Sequence, residues 1–184
     1  MNAEQTHQTD ILVIGAGPAG TVAASILNKK GYKVKVVEKQ KFPRFVIGES
    51  LLPRCMENLE KAGFIEAIEK AGFQKKYGAI FQHNYDVCRF DFSNQFTKGW
   101  SWTWQVQRAK FDHVLAKDVE KQGVEVEYES AITEISFAEN GNATAKVEKN
   151  DGSAYEIEAQ YIVDGSGWGR VLPRLLDLDE PSEF

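Results

Sequence analysis

The sequence predicts an α/β fold: a parallel sheet, strands inserted after its first β-α-β unit, and an antiparallel β-meander further on. Three observations carry this expectation. Residues 10–15, DILVIG, form a short apolar run closed by glycine, as a buried parallel strand requires. From Pro18 the spacing turns helical and returns through Lys33–Val37 to a second strand, a β-α-β unit within about 30 residues. Later, ENGN (139–142) and NDGS (150–153) separate three strand-like runs with good turn sequences.

Within the first helix, Ala19, Val22, Ala23, Ile26 and Leu27 are expected to share the buried face. Pro18 suits the first helical turn, and Lys29 and Lys30 suit the negative end of the dipole before Gly31. Residues 51–72 read as two short helices broken near Gly63. Residues 77–82 and 87–92 read as strands around the polar turn 83–86. GWSWTWQV (99–106) reads as a strand with Trp100, Trp102 and Trp104 on one face, in the core or a substrate wall. An amphipathic helix follows at 109–122, through Phe111, Val114, Leu115 and Val119, and then a strand, VEVEY (124–128). After the meander, YIVDGSG (161–167) reads as a further apolar strand ending in a glycine-rich turn. The final LLDLDEPSEF suggests neither strand nor helix.

A chain of 184 residues can bury one core, or one domain with an added layer. The net charge of −5 argues against nucleic acid as a partner, and the basic residues form no patch for an anionic membrane. The opening MNAEQTHQTD is polar, and ILVIGAG is too short to span a bilayer. Cys55 and Cys88 show no metal or redox spacing, and His7, His83 and His113 are scattered, so no metal site is expected. The expectation is a cytoplasmic chain.

GAGPAG (15–20) matches G-x-G-x-x-G in the context that gives the motif meaning: after a strand, opening a helix, with an acidic residue ending the next strand. Gly15 permits the tight turn, Gly17 lets a pyrophosphate approach the backbone, and Gly20 allows close helix–strand packing. The helix start, with Pro18 and Ala19, offers N–H groups and a partial positive charge to phosphates. Glu38, followed by Lys39, is placed to accept from a ribose diol and would repel a 2′-phosphate. A purely nicotinamide-binding unit would continue with another crossover helix. Here the chain departs into KFPRFVIGES (41–50), an insertion suited to the far end of a flavin dinucleotide.

With residues 15–20, 38, 43–50, 105–112 and 161–170 in view, the chain resembles the FAD-dependent monooxygenase and halogenase superfamily, above all its tryptophan-halogenase-like members. The resemblance covers nearly all of the chain. It implies a Rossmann-like FAD-binding fold over 1–184, of the GR2 type and shorter than family members generally are. A segment at about 72–107 is expected to contribute to a layer facing substrate and flavin.

FPRFVIGES (42–50) is similar to the family's F-P-R-x-x-x-G-E-S element. The resemblance implies Arg44 on the FAD pyrophosphate and ribose, with Gly48, Glu49 and Ser50 beside the flavin ring. Arg is the planar phosphate clamp that such a role needs. The plain alternative is a surface loop in which Arg44 pairs with Glu49. QVQRAKFDHVL (105–115) resembles the family's V-x-R-x-x-F-D-x-x-L helix start, implying Arg108 at the FAD phosphates or ring edge and Asp112 as a helix brace. VDGSGWGR (163–170) resembles the later flavin-contacting turn, with Asp164 and Gly165 as the matching positions. Trp168 and Val171 stand where the hydroxylase form of that turn has Ser and Arg, which argues for reduced flavin supplied by a separate reductase.

GFQKKYGAIF (72–81) resembles the segment that carries the halogenase active-site lysine, best matched by Lys76; an ordinary exposed Lys75–Lys76 pair is the alternative. The resemblance implies a halogenase or monooxygenase that acts on an aromatic or electron-rich small molecule through a flavin hydroperoxide. A reductase of isoprenoid double bonds, of the geranylgeranyl-reductase kind, shares the G-x-G-x-x-G and G-E-S elements. A catalytically incomplete FAD-binding fragment is the third reading, and the length, short of the family's, leads to the expectation that this chain alone is catalytically incomplete.

Overall fold

The computed structural model describes residues 6–180; the first five residues of the polar opening and the final PSEF lie outside the described residues. The chain forms two compact units, one from the residues up to Phe42 together with those from Leu115 onward, the other Pro43–Val114.

The first unit carries a six-stranded sheet. Its strands are β1 (Thr6–Ile14), β2 (Val34–Val37), β7 (Glu125–Glu127), β8 (Ser130–Phe137), β9 (Ala143–Lys149) and β10 (Ala154–Asp164), in the order β7-β2-β1-β10-β9-β8. β7, β2, β1 and β10 run parallel, while β8 and β9 add antiparallel to β10. The parallel sheet and the meander are therefore one sheet, joined through β10. The separate strand expected at 161–167 is instead the second half of β10, because its backbone pairs with β1 from Thr6↔Glu156 to Ile14↔Asp164. The same ladder starts β1 at Thr6, four residues earlier than the apolar run suggests. Leu12, Ile14, Val37, Ile132, Val147, Tyr155 and Ile157 share one buried cluster on this sheet.

The first helix, α1 (Pro18–Lys29), departs from expectation in the face it buries. Gly20, Thr21, Ala24 and Ser25 are buried, whereas Ala19 is exposed and Val22, Ala23, Ile26 and Leu27 are half-buried. Small residues face inward because the helix comes very close to the strands. A Cβ on Gly20 would lie 1.9 Å from the Gly15 carbonyl oxygen.

A buried ionic network ties four of the strands, β2, β7, β9 and β10. Lys35, 5% exposed, bonds Glu125 Oε1 at 2.6 Å and Glu127 Oε2 at 2.9 Å. Lys149 reaches Glu127 Oε1 at 2.8 Å, and the Tyr155 hydroxyl donates to Glu127 Oε2. Burial alone would push the Glu127 carboxyl up, but the hydrogen bonds from Lys149, Tyr155 and Lys35 hold it down at about 2. Burial opposes the charge of Lys35, yet its bonds to Glu125 and Glu127 raise its pKa above the usual lysine value.

The second unit contains α2 (Pro53–Ala62), α3 (Ile65–Ala71), β3 (Gln74–Lys76), the hairpin β4 (Gly78–His83) and β5 (Asp86–Asp91), β6 (Thr103–Gln105), and the start of α4 (Arg108–Lys121). The strand expected over 99–106 shortens to β6, which pairs antiparallel with β3 through Lys76↔Thr103 and Lys75↔Trp104. Trp100, Trp102 and Trp104 do stack edge-on in sequence, at 5.3 and 5.0 Å between ring centroids, and Trp104 is buried. The last elements among the described residues are a 3-10 turn, Gly167–Gly169, and the five-residue α5 (Val171–Leu175). Among the described residues no helix is long and apolar enough to cross a membrane.

Candidate functional site

At the C-terminal end of β1, two glycine turns press together backbone to backbone. Gly15 takes φ +93°, and a Cβ there would lie 2.9 Å from the Gly165 carbonyl oxygen. A Cβ on Gly165 would lie 2.9 Å from Gly20 Cα and 3.2 Å from the Ile14 oxygen, and Gly165 N donates to that same oxygen at 2.9 Å. Any side chain in either turn would force the turns apart.

Gly17 caps α1 in extended conformation, with no side-chain cap and no acidic residue in the first turn. The free N–H groups of that turn therefore keep their partial positive charge unopposed. Glu38, 5% exposed, lies beneath the turn, where Oε2 accepts from Ala16 N at 2.8 Å and Oε1 from Gln40 N at 2.8 Å. Lys39 is exposed just beyond it. Pro18 is the first residue of α1 and Ala19 is exposed beside it. Asp164 spends its carboxylate within its own loop, accepting from Ser166 N and Leu172 N, each at 2.9 Å.

In the second unit, residues 49–51 run beside β6. Val106 N donates to the Glu49 oxygen at 2.9 Å and Leu51 N to the Trp104 oxygen at 3.3 Å, with a bridge at Ser50↔Gln105. Gly48, Glu49 and Ser50 are all exposed. Lys76 is half-buried and donates to Ser50 Oγ and, at 3.2 Å, to the Leu51 oxygen; its ammonium stands 5.2 Å from the centre of the Phe92 ring. Lys75, by contrast, is exposed and lies over the Trp102 ring at 4.2 Å. The two lysines are thus on different faces of β3 and have different chemistry.

Phe92 also lines an open, largely apolar cavity of about 340 Å³, with Leu52, Pro53, Phe81, Phe90 and Gln95. Arg44 and Arg108 both meet Asp112. Arg108 Nε donates to Oδ1 at 2.8 Å and Nη2 to Oδ2 at 3.0 Å, while Arg44 Nη1 lies 3.3 Å from Oδ2. Arg108 Nη1 also donates to the carbonyls of Ile47 at 3.2 Å and Gly48 at 3.4 Å.

The structure thus brings Gly15, Gly20, Glu38 and Gly165 together in the first unit, and Arg44, Gly48 and Arg108 together in the second. It also pairs Lys76 with Ser50. Asp112 and Phe92 are the residues that the sequence reading undervalued. The i,i+4 spacing of Arg108 and Asp112 is visible in sequence; the contacts of Asp112 with Arg44 and of Lys76 with Phe92 are long-range and leave no local trace.

A family model described as "FAD binding domain" matches residues 8–174. The chain is 36% identical to a tryptophan 2-halogenase of Chondromyces crocatus over 160 residues, 86% of this chain and 30% of that protein. It is 36% identical to a flavin-dependent halogenase of Armillaria mellea over 177 residues, 94% of this chain and 35% of that protein. A solved structure of a flavoprotein/dehydrogenase from Cytophaga hutchinsonii superposes with a TM-score of 0.91 at 58% identity, over 95% of this chain and 43% of that one. The chain spans about a third of the length of these two curated relatives.

Proposed function

The chain belongs to the FAD binding domain family of the FAD-dependent halogenase and monooxygenase superfamily, and from that premise we propose that it is the FAD-binding portion of a flavin-dependent oxidoreductase that halogenates or hydroxylates an aromatic or electron-rich small molecule. Its cofactor is FAD. The observation that carries the reading is the pair of interlocked glycine turns above the Glu38 carboxylate. This arrangement leaves the N-terminus of α1 bare of side chains, with no acidic residue in its first turn to compete for a pyrophosphate. A carboxylate has about four acceptor positions, so Glu38 can hold the turn and still take a ribose hydroxyl.

When bound, FAD supplies the two-electron redox chemistry and the activation of oxygen. The protein's share is to bind and orient. Gly15, Gly17, Pro18, Ala19, Gly20, Glu38 and Lys39 serve the adenosine and pyrophosphate, with Asp164 and Gly165 in the second turn. Arg44 and Arg108 supply positive charge, and Gly48, Glu49 and Ser50 a backbone that a flat ring can approach. In this reading Lys76 is the catalytic donor, set apart from Lys75 by its bond to Ser50 and its place over Phe92. The apolar cavity beside Phe92 is the wall for the aromatic part of the substrate. A separate reductase supplies reduced flavin, and the free Cys55 and Cys88 suit the reducing cytoplasm.

A second reading, a flavin oxidoreductase that does not halogenate, is favoured by the 58% identity to the Cytophaga hutchinsonii flavoprotein/dehydrogenase. The two separate in one assay: FAD-loaded protein with a flavin reductase system, oxygen, bromide and an electron-rich phenol. Bromophenol is the expected product, lost at least 100-fold in Lys76→Ala while FAD uptake stays within about threefold. Unmodified phenol from the wild-type protein supports the second reading or a catalytically incomplete portion, and undiminished bromination by Lys76→Ala removes that lysine from the mechanism.

A further inference from the structure

We propose that Asp112 is the positioning residue of the second unit: one buried carboxylate gathers Arg44 and Arg108, and through Arg108 it fixes the backbone at Ile47 and Gly48. The consequence for cofactor binding rests on the FAD reading above; the consequence for the loop does not.

The Asp112 side chain is 1% exposed, and the structure gives it work beyond bracing its helix. Its i,i+4 pair with Arg108 braces α4, as expected, but Arg44 comes from outside the helix. Both Asp112 oxygens accept from guanidinium groups, Oδ1 from Arg108 Nε and Oδ2 from Arg108 Nη2, with Arg44 Nη1 at 3.3 Å from Oδ2. The bidentate fork locks the plane of Arg108. That plane then aims the remaining nitrogen, Nη1, at the carbonyls of Ile47 and Gly48. Gly48 is part of the same fit: it takes φ +108°, and a Cβ there would stand 3.2 Å from Arg108 Nη1.

Two further features argue for a positioning role. The unit runs from Pro43 to Val114, so Arg44 and Asp112 lie within two residues of its two ends, and their ion pair closes its base. A contact across so long a loop removes more chain freedom than a local one. Without the carboxylate the two guanidinium groups would lose the acceptor that they share. With it, the 44–48 segment is held through Arg44 and through the Arg108 bonds to Ile47 and Gly48.

The test uses Asp112→Asn and two readouts. Trypsin cleaves after arginine only when the side chain can leave its partners, so cleavage of the Arg44–Phe45 bond in the FAD-free chain reports the hold on Arg44. Cleavage at least tenfold faster than wild type is expected, with cleavage after the exposed Lys98 unchanged. An unchanged rate at Arg44 overturns the proposal. FAD affinity supplies the second readout through the cycle Asp112→Asn, Arg108→Gln and both. Each single change is expected to weaken binding about tenfold, and the double by clearly less than a hundredfold, since Asp112 acts in large part through Arg108. Losses that multiply to about a hundredfold overturn the proposal, because Asp112 would then act independently. Should Asp112→Asn fail to fold, Arg108→Gln alone carries the same trypsin expectation, because Asp112 loses the fork that fixes it. If the wild-type chain takes up no FAD, the preceding reading falls, while the trypsin result still decides what Asp112 does.

Discussion

Replacing Gly20 by Ala is expected to abolish FAD uptake and to destabilise the chain by about 3 kcal/mol or more. The added methyl has nowhere to go. Its carbon would sit 1.9 Å from the Gly15 carbonyl oxygen and 3.3 Å from Val13 Cγ1, and the first of these is backbone that cannot rotate away. To relieve the clash, α1 must lift from the sheet or the Gly15 turn must open. Either movement breaks the second interlock, in which Gly165 stands against Gly20 Cα and N. The damage therefore spreads to both turns, and the dinucleotide cradle fails with the packing. Thermal unfolding and an FAD titration read the two effects separately. A Gly20→Ala chain with wild-type melting temperature and FAD affinity would mean that the turns are not packed as described.

Changing Glu127 to Gln is expected to be the costliest substitution away from the cofactor cradle. Glu127 receives Lys35, Lys149 and the Tyr155 hydroxyl, and Lys35 is buried deeply enough that losing a counter-charge leaves it poorly compensated. Breaking a buried pair from one side costs about 3 kcal/mol. The variant also has a pH signature. The folded-state pKa of Glu127, about 2, lies below its ordinary value of 4.5, so folding favours the ionised carboxylate. Its contribution is complete above pH 4.5 and disappears as the pH falls from there through about 2. Discounted for partial solvent screening, that contribution is about 2 kcal/mol. Denaturant melts from pH 7 to pH 2 should show wild type losing more stability than Glu127→Gln across this window. Parallel acid limbs for the two proteins would contradict the assignment.

Much of the first unit could be read in the sequence because its signals are local. The apolar run before Gly15, the helical spacing after Pro18 and the turn sequences ENGN and NDGS each act over a few residues. What the sequence did not disclose was decided by distant partners. β3 has three residues and no alternation, and it exists because its backbone pairs with β6. The tryptophan run has strand periodicity from Trp100, yet only Thr103–Gln105 find a partner strand, so periodicity alone overstated it. β10 absorbed a strand expected to be separate, since the ladder with β1 continues past the last residue paired with β9. The buried face of α1 differs from the apolar one for a related reason: apolar side chains mark a face that can be buried, while close approach to backbone selects small ones.

The same contrast holds at the candidate site. Gly15, Gly17, Gly20 and Glu38 were legible because a glycine turn needs particular residues at fixed spacing. The 43–50 stretch was conspicuous for its composition, but its physical logic was not. Arg44 has an ion partner, Asp112, that lies 68 positions away, and Ser50 receives Lys76 across 26. Resemblance could nominate Arg44, Arg108 and Lys76 one by one. It could not give the shared carboxylate that joins the two arginines.

The central claim is that this chain is built to hold FAD by its adenosine and pyrophosphate as well as its flavin. Isothermal titration of the purified chain with FAD and, separately, with FMN tests that most directly. The account expects one FAD per chain and an affinity for FMN at least tenfold weaker, because FMN lacks the adenosine that Glu38 would read and the pyrophosphate that the bare N-terminus of α1 would meet. Equal affinity for the two flavins, or no uptake of FAD, would contradict it.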